Sequence, residues 1–310
     1  MISRLSPNST GALFMVISMA GFSFNDGLMK FAMLELNLFQ SIFVRGLFAC
    51  CLMALLCWYV GDFKAAKQPF QSLLHRNLLL RTVGELGGTF FFLSALFHMP
   101  IANVTAVLQV LPLALTFAGA LFLGETVGWR RYLAIGVGFF GVMLIIRPGT
   151  GDFNVFAIYA LIATAFITLR DLATRGLPPN IPSTFVSLVT SICVLGLGFV
   201  GMQFEVWQPM GLRQISLLAG AAAILMVGYL FSVMAMRNGE IAFVSPFRYS
   251  ILLWALMLGY FLFGDVPDFW ACVGAIIVIL SGLFTFYRER LSARNLATSA
   301  DSDAASAINH

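Results

Sequence analysis

Charge is what this chain has least of. Only 10% of its 310 residues are Asp, Glu, Lys or Arg, where a soluble domain carries about a quarter, so an ordinary soluble fold is excluded. Histidine is almost missing: His75 and His98 fall at the ends of apolar runs, and His310 lies in the tail. No His–carboxylate pair stands at helical spacing, no G-x-S-x-G elbow occurs, and no metal-ligand set is spaced along the chain. An intramembrane hydrolase or metalloprotease therefore has no constellation to work with, and neither metal nor cofactor is expected. The five cysteines, Cys50, Cys51, Cys57, Cys193 and Cys272, sit inside apolar runs and read as small buried hydrophobes. The glycines follow no predicted strand, which removes phosphate-binding and dinucleotide fingerprints. Despite a net charge of +4, the basic residues form no patch interleaved with aromatics, and nucleic acid is excluded as a partner.

What the chain has in abundance is apolar length. Hydrophobic residues make up 60% of it and the mean hydropathy is +0.91. Runs of about 20 residues, enough for a helix to cross about 30 Å of hydrocarbon, follow one another with little between them. Spans are expected at 11–31, 38–60, 76–98, 101–123, 129–147, 153–173, 183–203, 212–236, 240–263 and 267–287. The fold class that follows is an all-α polytopic membrane protein of ten transmembrane helices. The first run lacks an A-x-A site and has an internal copy at Gly151, so it reads as an uncleaved helix rather than a signal peptide. Residues 1–10 are a polar cytoplasmic lead-in, and the tail 289–310, ending SADSDAASAINH, has nothing to bury and is expected to be disordered.

The chain also repeats itself. Met99–Gly128 aligns without a gap on Gly239–Asp268, 140 residues later: Ile101-Ala102 over Ile241-Ala242, Gly119 over Gly259, Gly124-Glu125 over Gly264-Asp265. The same offset puts Gly11 over Gly151, Lys30 over Arg170 and Gln109 over Tyr249. Two units of five helices are expected, 11–147 and 151–288. Because five is odd, the second must enter the membrane from the opposite side. Loop charge sets the orientation: twelve Lys and Arg fall on one side and only Lys30, Arg147 and Arg213 on the other, which puts both termini in the cytoplasm.

A charge at the centre of a spanning helix costs about 2.5–3.5 kcal/mol, so the few ionisable residues at membrane depth are the functional candidates. Asp26 and Lys30 share a face of the first helix, and with Arg45 they suggest an outer cluster. Arg81 and Glu85 on the third helix, Arg170 and Asp171 on the sixth, and Arg248 on the ninth suggest an inner one. Such clusters suit the two gates of an alternating-access protein, and equally suit structural ion pairs that fix helix register. Arg81 and Asp171 are expected to snorkel to the interface. Asn25, Gln109 and Tyr249 are candidates for hydrogen bonds to a substrate or between helices. The clustered glycines at 84–88, 136–141 and 196–201 read as packing, and Pro112 and Pro246 as kinks. Phenylalanine is plentiful, at 31 residues; most must face lipid or helices, with a minority free to line a cavity for a flat aromatic substrate.

Two five-helix units, the run from Pro100 through Pro112 to Gly124-Glu125, its echo Pro246-Phe247-Arg248-Tyr249 to Gly264-Asp265, and the glycine-rich fifth helix ending Arg147-Pro148-Gly149 together resemble the drug/metabolite transporter superfamily, EamA type. Asn25-Asp26 with Lys30, and Pro246–Tyr249, are similar to its uptake members for S-adenosylmethionine and riboflavin. The resemblance implies a multi-pass carrier of the bacterial inner membrane, a central cavity between inverted halves and no bound cofactor. The expected function is alternating-access uptake of a small organic metabolite. Riboflavin leads on the Phe content, followed by S-adenosylmethionine or amino acids, in either direction; a membrane enzyme or assembly scaffold is the reading from another class. Asp26, Lys30, Arg45, Glu85, Gln109, Arg248 and Tyr249 are the expected substrate-binding or gating residues. The partners are the substrate and the lipid bilayer, and proton coupling and a homodimer are compatible with this reading.

Overall fold

In hydrocarbon every backbone N–H and C=O must find its partner within the chain, so long apolar runs with few breakers become helices. The computed structural model describes residues 7–65, 75–122, 129–147, 154–178, 181–238, 244–285 and 287. Ten helices of membrane scale run through them: α1 Pro7–Ala32, α2 Leu38–Val60, α3 Arg76–His98, α4 Ile101–Phe122, α5 Trp129–Ile146, α6 Phe156–Arg175, α7 Ser183–Gly201, α8 Leu212–Asn238, α9 Pro246–Phe263 and α10 Phe269–Thr285. Eight are long and apolar enough to span a membrane by themselves, while α5 and α10 have shorter apolar stretches. The chain is a multi-pass membrane protein. The expected spans coincide with these helices to within a few residues, although α1 begins at Pro7 inside the expected lead-in. The tail 289–310 and the expected start of the ninth span lie outside the described residues.

Pro112 and Pro246 both fall where the helix geometry is irregular. Pro112 has no N–H to donate to the Leu108 carbonyl, and α4 is interrupted at Gln109 and Val110. Pro246 opens α9 as a 3₁₀ turn over Ser245–Tyr249. That helix then closes in a π turn, Gly259–Phe263, ended by Gly264 in the left-handed region at φ 67°.

The helices pack in pairs: α1 along α8, α3 along α6, α2 along α7, and α4 against α9. α5 meets α10, where Gly141 faces the Gly274 carbonyl and the Ser281 hydroxyl donates to the carbonyl of Ala134. Glycine makes several of these approaches possible. A methyl group at Gly84 would stand 2.7 Å from the Arg170 nitrogen, and one at Gly198 would stand 2.5 Å from the Phe43 nitrogen. Phenylalanine fills the seams; Phe91 stacks on Phe166 at 5.7 Å and Phe14 meets Phe231 edge-on at 5.4 Å. The cysteines divide: Cys57 is buried, Cys50 and Cys193 half-buried, and Cys51 and Cys272 exposed on the apolar surface. A thiol costs little against lipid, so burial was not required of all five.

One end of the bundle is tied shut by polar contacts. Beyond α1, Glu35 takes hydrogen bonds from Arg213 at 3.0 Å and from Gln214. Gln40 and Gln208 exchange bonds at 2.8 and 3.0 Å. Glu205, after α7, accepts the Phe39 N–H at 3.1 Å and so caps the start of α2 from another helix's loop. Partial burial pushes the Glu205 carboxyl up, against the opposing pull of the N–H groups of Phe39 and Gln40.

Two predictions follow from this packing. Gly84→Ala and Gly198→Ala should each lower the melting temperature of the purified protein, at a cost of about 1–3 kcal/mol from overpacking, whereas Gly136→Ala and Gly196→Ala, with open space at the new methyl, should not. For Glu205, a pKa raised in the fold means protonation favours the folded state. Its contribution is present below the ordinary carboxylate range and lost as pH rises through the raised value. Glu205→Gln should flatten that acid-side slope in melts taken across pH, and Glu205→Ala should cost about 1 kcal/mol through the lost cap.

Candidate substrate cavity

Charged side chains on five different helices cannot each reach water past a lipid face, and here they turn inward to one shared space. A cavity of about 420 Å³ lies between α1, α2, α3, α4, α6, α8 and α9, within the size range of small-ligand sites. Its lining runs from Thr105 in the second turn of α4 to Thr174 and Arg248 at the opposite end of the bundle, where α6 ends and α9 begins. Four arginines face it, Arg45, Arg81, Arg170 and Arg248, together with three carboxylates, Asp26, Glu85 and Asp171. A polar side pocket of about 60 Å³ continues from it toward α7, past Thr89 and Tyr229 to Ser187, Thr190 and Ser191.

Each charge has a distinct setting. Arg170 is the hub: its Nε donates to Asp171 at 2.8 Å and its guanidinium stands 3.6 Å from Glu85. Arg81 donates to the Thr174 hydroxyl at 2.9 Å, and that hydroxyl donates to the Arg170 carbonyl at 2.7 Å. Asp26 accepts from the Asn25 amide at 2.9 Å, while Arg45 reaches the Asn25 oxygen at 3.5 Å. Arg248 has no hydrogen bond or ion pair among the described residues, and Asp171 acts on it only from beyond ion-pair distance.

Of the seven residues expected from the sequence, five line this space: Asp26, Arg45, Glu85, Gln109 and Arg248. Lys30 does not. It points to the closed end, where it donates to the Met99 carbonyl, stands 3.9 Å from Asp265 and lies 5.3 Å over the Phe263 ring. The expected Asp26–Lys30–Arg45 cluster is therefore split, because four residues of helix carry Lys30 about 6 Å further along the axis. Tyr249 is also elsewhere; its ring packs on Gly282 of α10, and only its backbone carbonyl turns inward, accepting from Gln109 at 3.3 Å. Arg81 and Asp171 line the cavity instead of snorkelling away. The supposed inner and outer clusters share one space, since Asp26 and Arg45 open into the same volume as Glu85 and Arg170. Tyr229, Thr89 and Ser232 carry no charge and gave no signal in the sequence. Among the described phenylalanines only Phe22 and Phe92 reach the lining.

A model of the EamA-like transporter family matches residues 9–147. The matched stretch holds α1 to α5, and with them Asp26, Arg45, Arg81, Glu85 and Gln109. Similarity to curated proteins extends beyond it. The chain is 26% identical over 285 residues to an S-adenosylmethionine uptake transporter of Rickettsia felis, covering 91% of this chain and 94% of that one. It is 25% identical to a riboflavin transporter of Vibrio cholerae, covering 92% and 95%, and 24% identical to a pseudopaline exporter of Pseudomonas aeruginosa, covering 88% and 94%. A crystal structure superimposes with a TM-score of 0.59 at 16% identity, over 89% of this chain and 96% of that one, which establishes likeness of fold. These relatives carry different molecules in different directions; what they share is transport of a small molecule, which points to a transporter rather than an enzyme.

The settings of the arginines make a stability prediction. Arg170→Gln strands Glu85 and Asp171 in a poorly solvated space and should cost on the order of 2 kcal/mol or more, seen as a clear drop in melting temperature. Arg248→Gln removes a cation with no such partner and should leave the melt close to that of the parent.

Proposed function

We propose that the whole chain is a ten-helix secondary transporter of the EamA type, carrying a small polar organic metabolite by alternating access. The observation that carries this reading is the cavity itself: a charge-lined space at membrane depth, tied shut at one end by Lys30 and Glu35 and their partners, with its lining reaching the other end.

Two repeats, 11–147 and 151–288, are part of the proposal, and the packing supports them. Exchanging each helix for the one five places on maps every principal pair onto another: α1 with α8 becomes α6 with α3, while α2–α7, α4–α9 and α5–α10 map onto themselves. At residue level the Gly141–Gly274 contact, moved by 140, becomes Ser281 against Ala134, which also touch. Gln109 and Tyr249, the same position in the two units, meet directly. Lys30 and Arg170 are likewise equivalent in sequence yet unlike in place, one at the closed end and one in the cavity. That asymmetry is what an inverted-repeat carrier has when it is open to one side.

On the loop-charge rule the open end is cytoplasmic, as are both termini, and the membrane is the bacterial inner membrane. Uptake is the proposed direction, from likeness to the relatives named for uptake. Asp26 and Glu85 are the proposed proton sites should transport be proton-coupled. Seven charged groups and two phenylalanines among the described lining residues favour a polar or charged cargo over a flat neutral ring such as riboflavin.

The test is flux of labelled S-adenosylmethionine, riboflavin and an amino-acid panel in proteoliposomes holding only this protein, with and without a proton gradient. Saturable movement of one compound above protein-free vesicles is expected. No movement of any compound in either direction would overturn the carrier reading and return attention to an enzyme or scaffold.

A further inference from the structure

We infer that the substrate binds through a carboxylate seated on Arg248. This rests on the carrier reading above and narrows it from a small metabolite to an organic acid.

The argument begins with charge. Among the described residues, four arginines against three carboxylates leave the lining with one positive charge in excess when all seven are ionised. The local contacts place that excess. Arg170 is shared by Glu85 and Asp171, Arg81 is engaged by Thr174 and Arg45 by Asn25. Arg248 alone among the four has no ion pair or hydrogen bond within the described residues. A guanidinium held in a cavity walled by apolar helices attracts an anion strongly, because little bulk water competes for it.

The excess also selects among anions. A carboxylate brings one negative charge and neutralises the lining. A phosphate monoester brings about −1.5 to −2 and overshoots, against three resident carboxylates that already repel it. A neutral ligand leaves the excess uncompensated. Arg248 is also fixed for the task. It lies in the 3₁₀ turn that opens α9, and the next residue's carbonyl is held by Gln109 from the broken segment of α4. The planar fork of the guanidinium matches a carboxylate at two points.

The test uses the full chain in lipid nanodiscs and reads thermal stabilisation by matched pairs of compounds. Hydroxy and keto acids are each set against their carboxamides, with riboflavin and inorganic phosphate as neutral and multiply charged controls. Stabilisation by one or more acids is expected, weakened at least tenfold in the amide, which is about 1.4 kcal/mol. Arg248→Gln should lose the same factor and Arg248→Lys should retain part of it. The pairs on the parent protein need no variant to fold. Equal binding of acid and amide, preference for riboflavin or phosphate, undiminished binding by Arg248→Gln, or no acid binding at all would each overturn the inference. Failure is separable from failure of the carrier reading: flux of a compound without a carboxylate keeps the carrier and rejects the acid, while acid binding at Arg248 without flux does the reverse.

Discussion

Seven charged side chains at membrane depth are the constraint on which this structure turns. Left to face lipid, each would cost about 2.5–3.5 kcal/mol, and the set on the order of 20 kcal/mol, more than the 5–15 kcal/mol that holds a typical fold together. The chain resolves this by bringing all seven to one polar space. The helix pairs then follow as the means of enclosure. α1 with α8 and α3 with α6 form walls that turn Asp26, Tyr229, Glu85 and Arg170 to the inside. The apolar faces of the same helices meet each other or the bilayer.

Close approach of backbones makes the walls tight enough to hold that geometry. Without a hydrophobic drive between helices in lipid, contact depends on packing. Gly84 against Arg170 is the telling case, since the residue that lets α3 reach α6 sits one position before the carboxylate that partners the arginine. Packing and electrostatics are thus set by the same turn of helix. At the break in α4 and the 3₁₀ turn of α9 the Gln109 side chain reaches the Tyr249 carbonyl, a polar contact between two largely apolar helices.

The architecture was largely legible in the sequence, for a physical reason: hydrocarbon thickness fixes helix length, so apolar runs such as 38–60 and 76–98 coincide with α2 and α3. Pro112 announced the break in α4 because its missing N–H acts locally. The site was less legible. Asp26 and Glu85 stood out as charges in apolar runs, but the sequence does not tell which way a side chain leaves a helix. Lys30 shares the face of Asp26 yet ends beside Asp265, because the π turn and left-handed Gly264 carry that carboxylate back toward α1. Arg81 lies close enough to a helix end to snorkel, and only the arrival of α6 with Thr174 explains why it turns inward. Tyr249 was misplaced for a similar reason, its ring taken up by Gly282, 33 residues on in the next helix. Tyr229 gave no signal, being an aromatic in an apolar run until α1, α2 and α3 surround it.

The central claim is that this cavity opens to each side of the membrane in turn. Its most direct measurement places one cysteine in the lining, Thr89→Cys, on a background with the five native cysteines replaced. An impermeant thiol reagent is then added to one face or the other of sealed vesicles of known orientation. The account predicts labelling from either face, with no continuous aqueous path between them. Labelling from one face only, under every condition tried, would contradict it and leave a blind pocket.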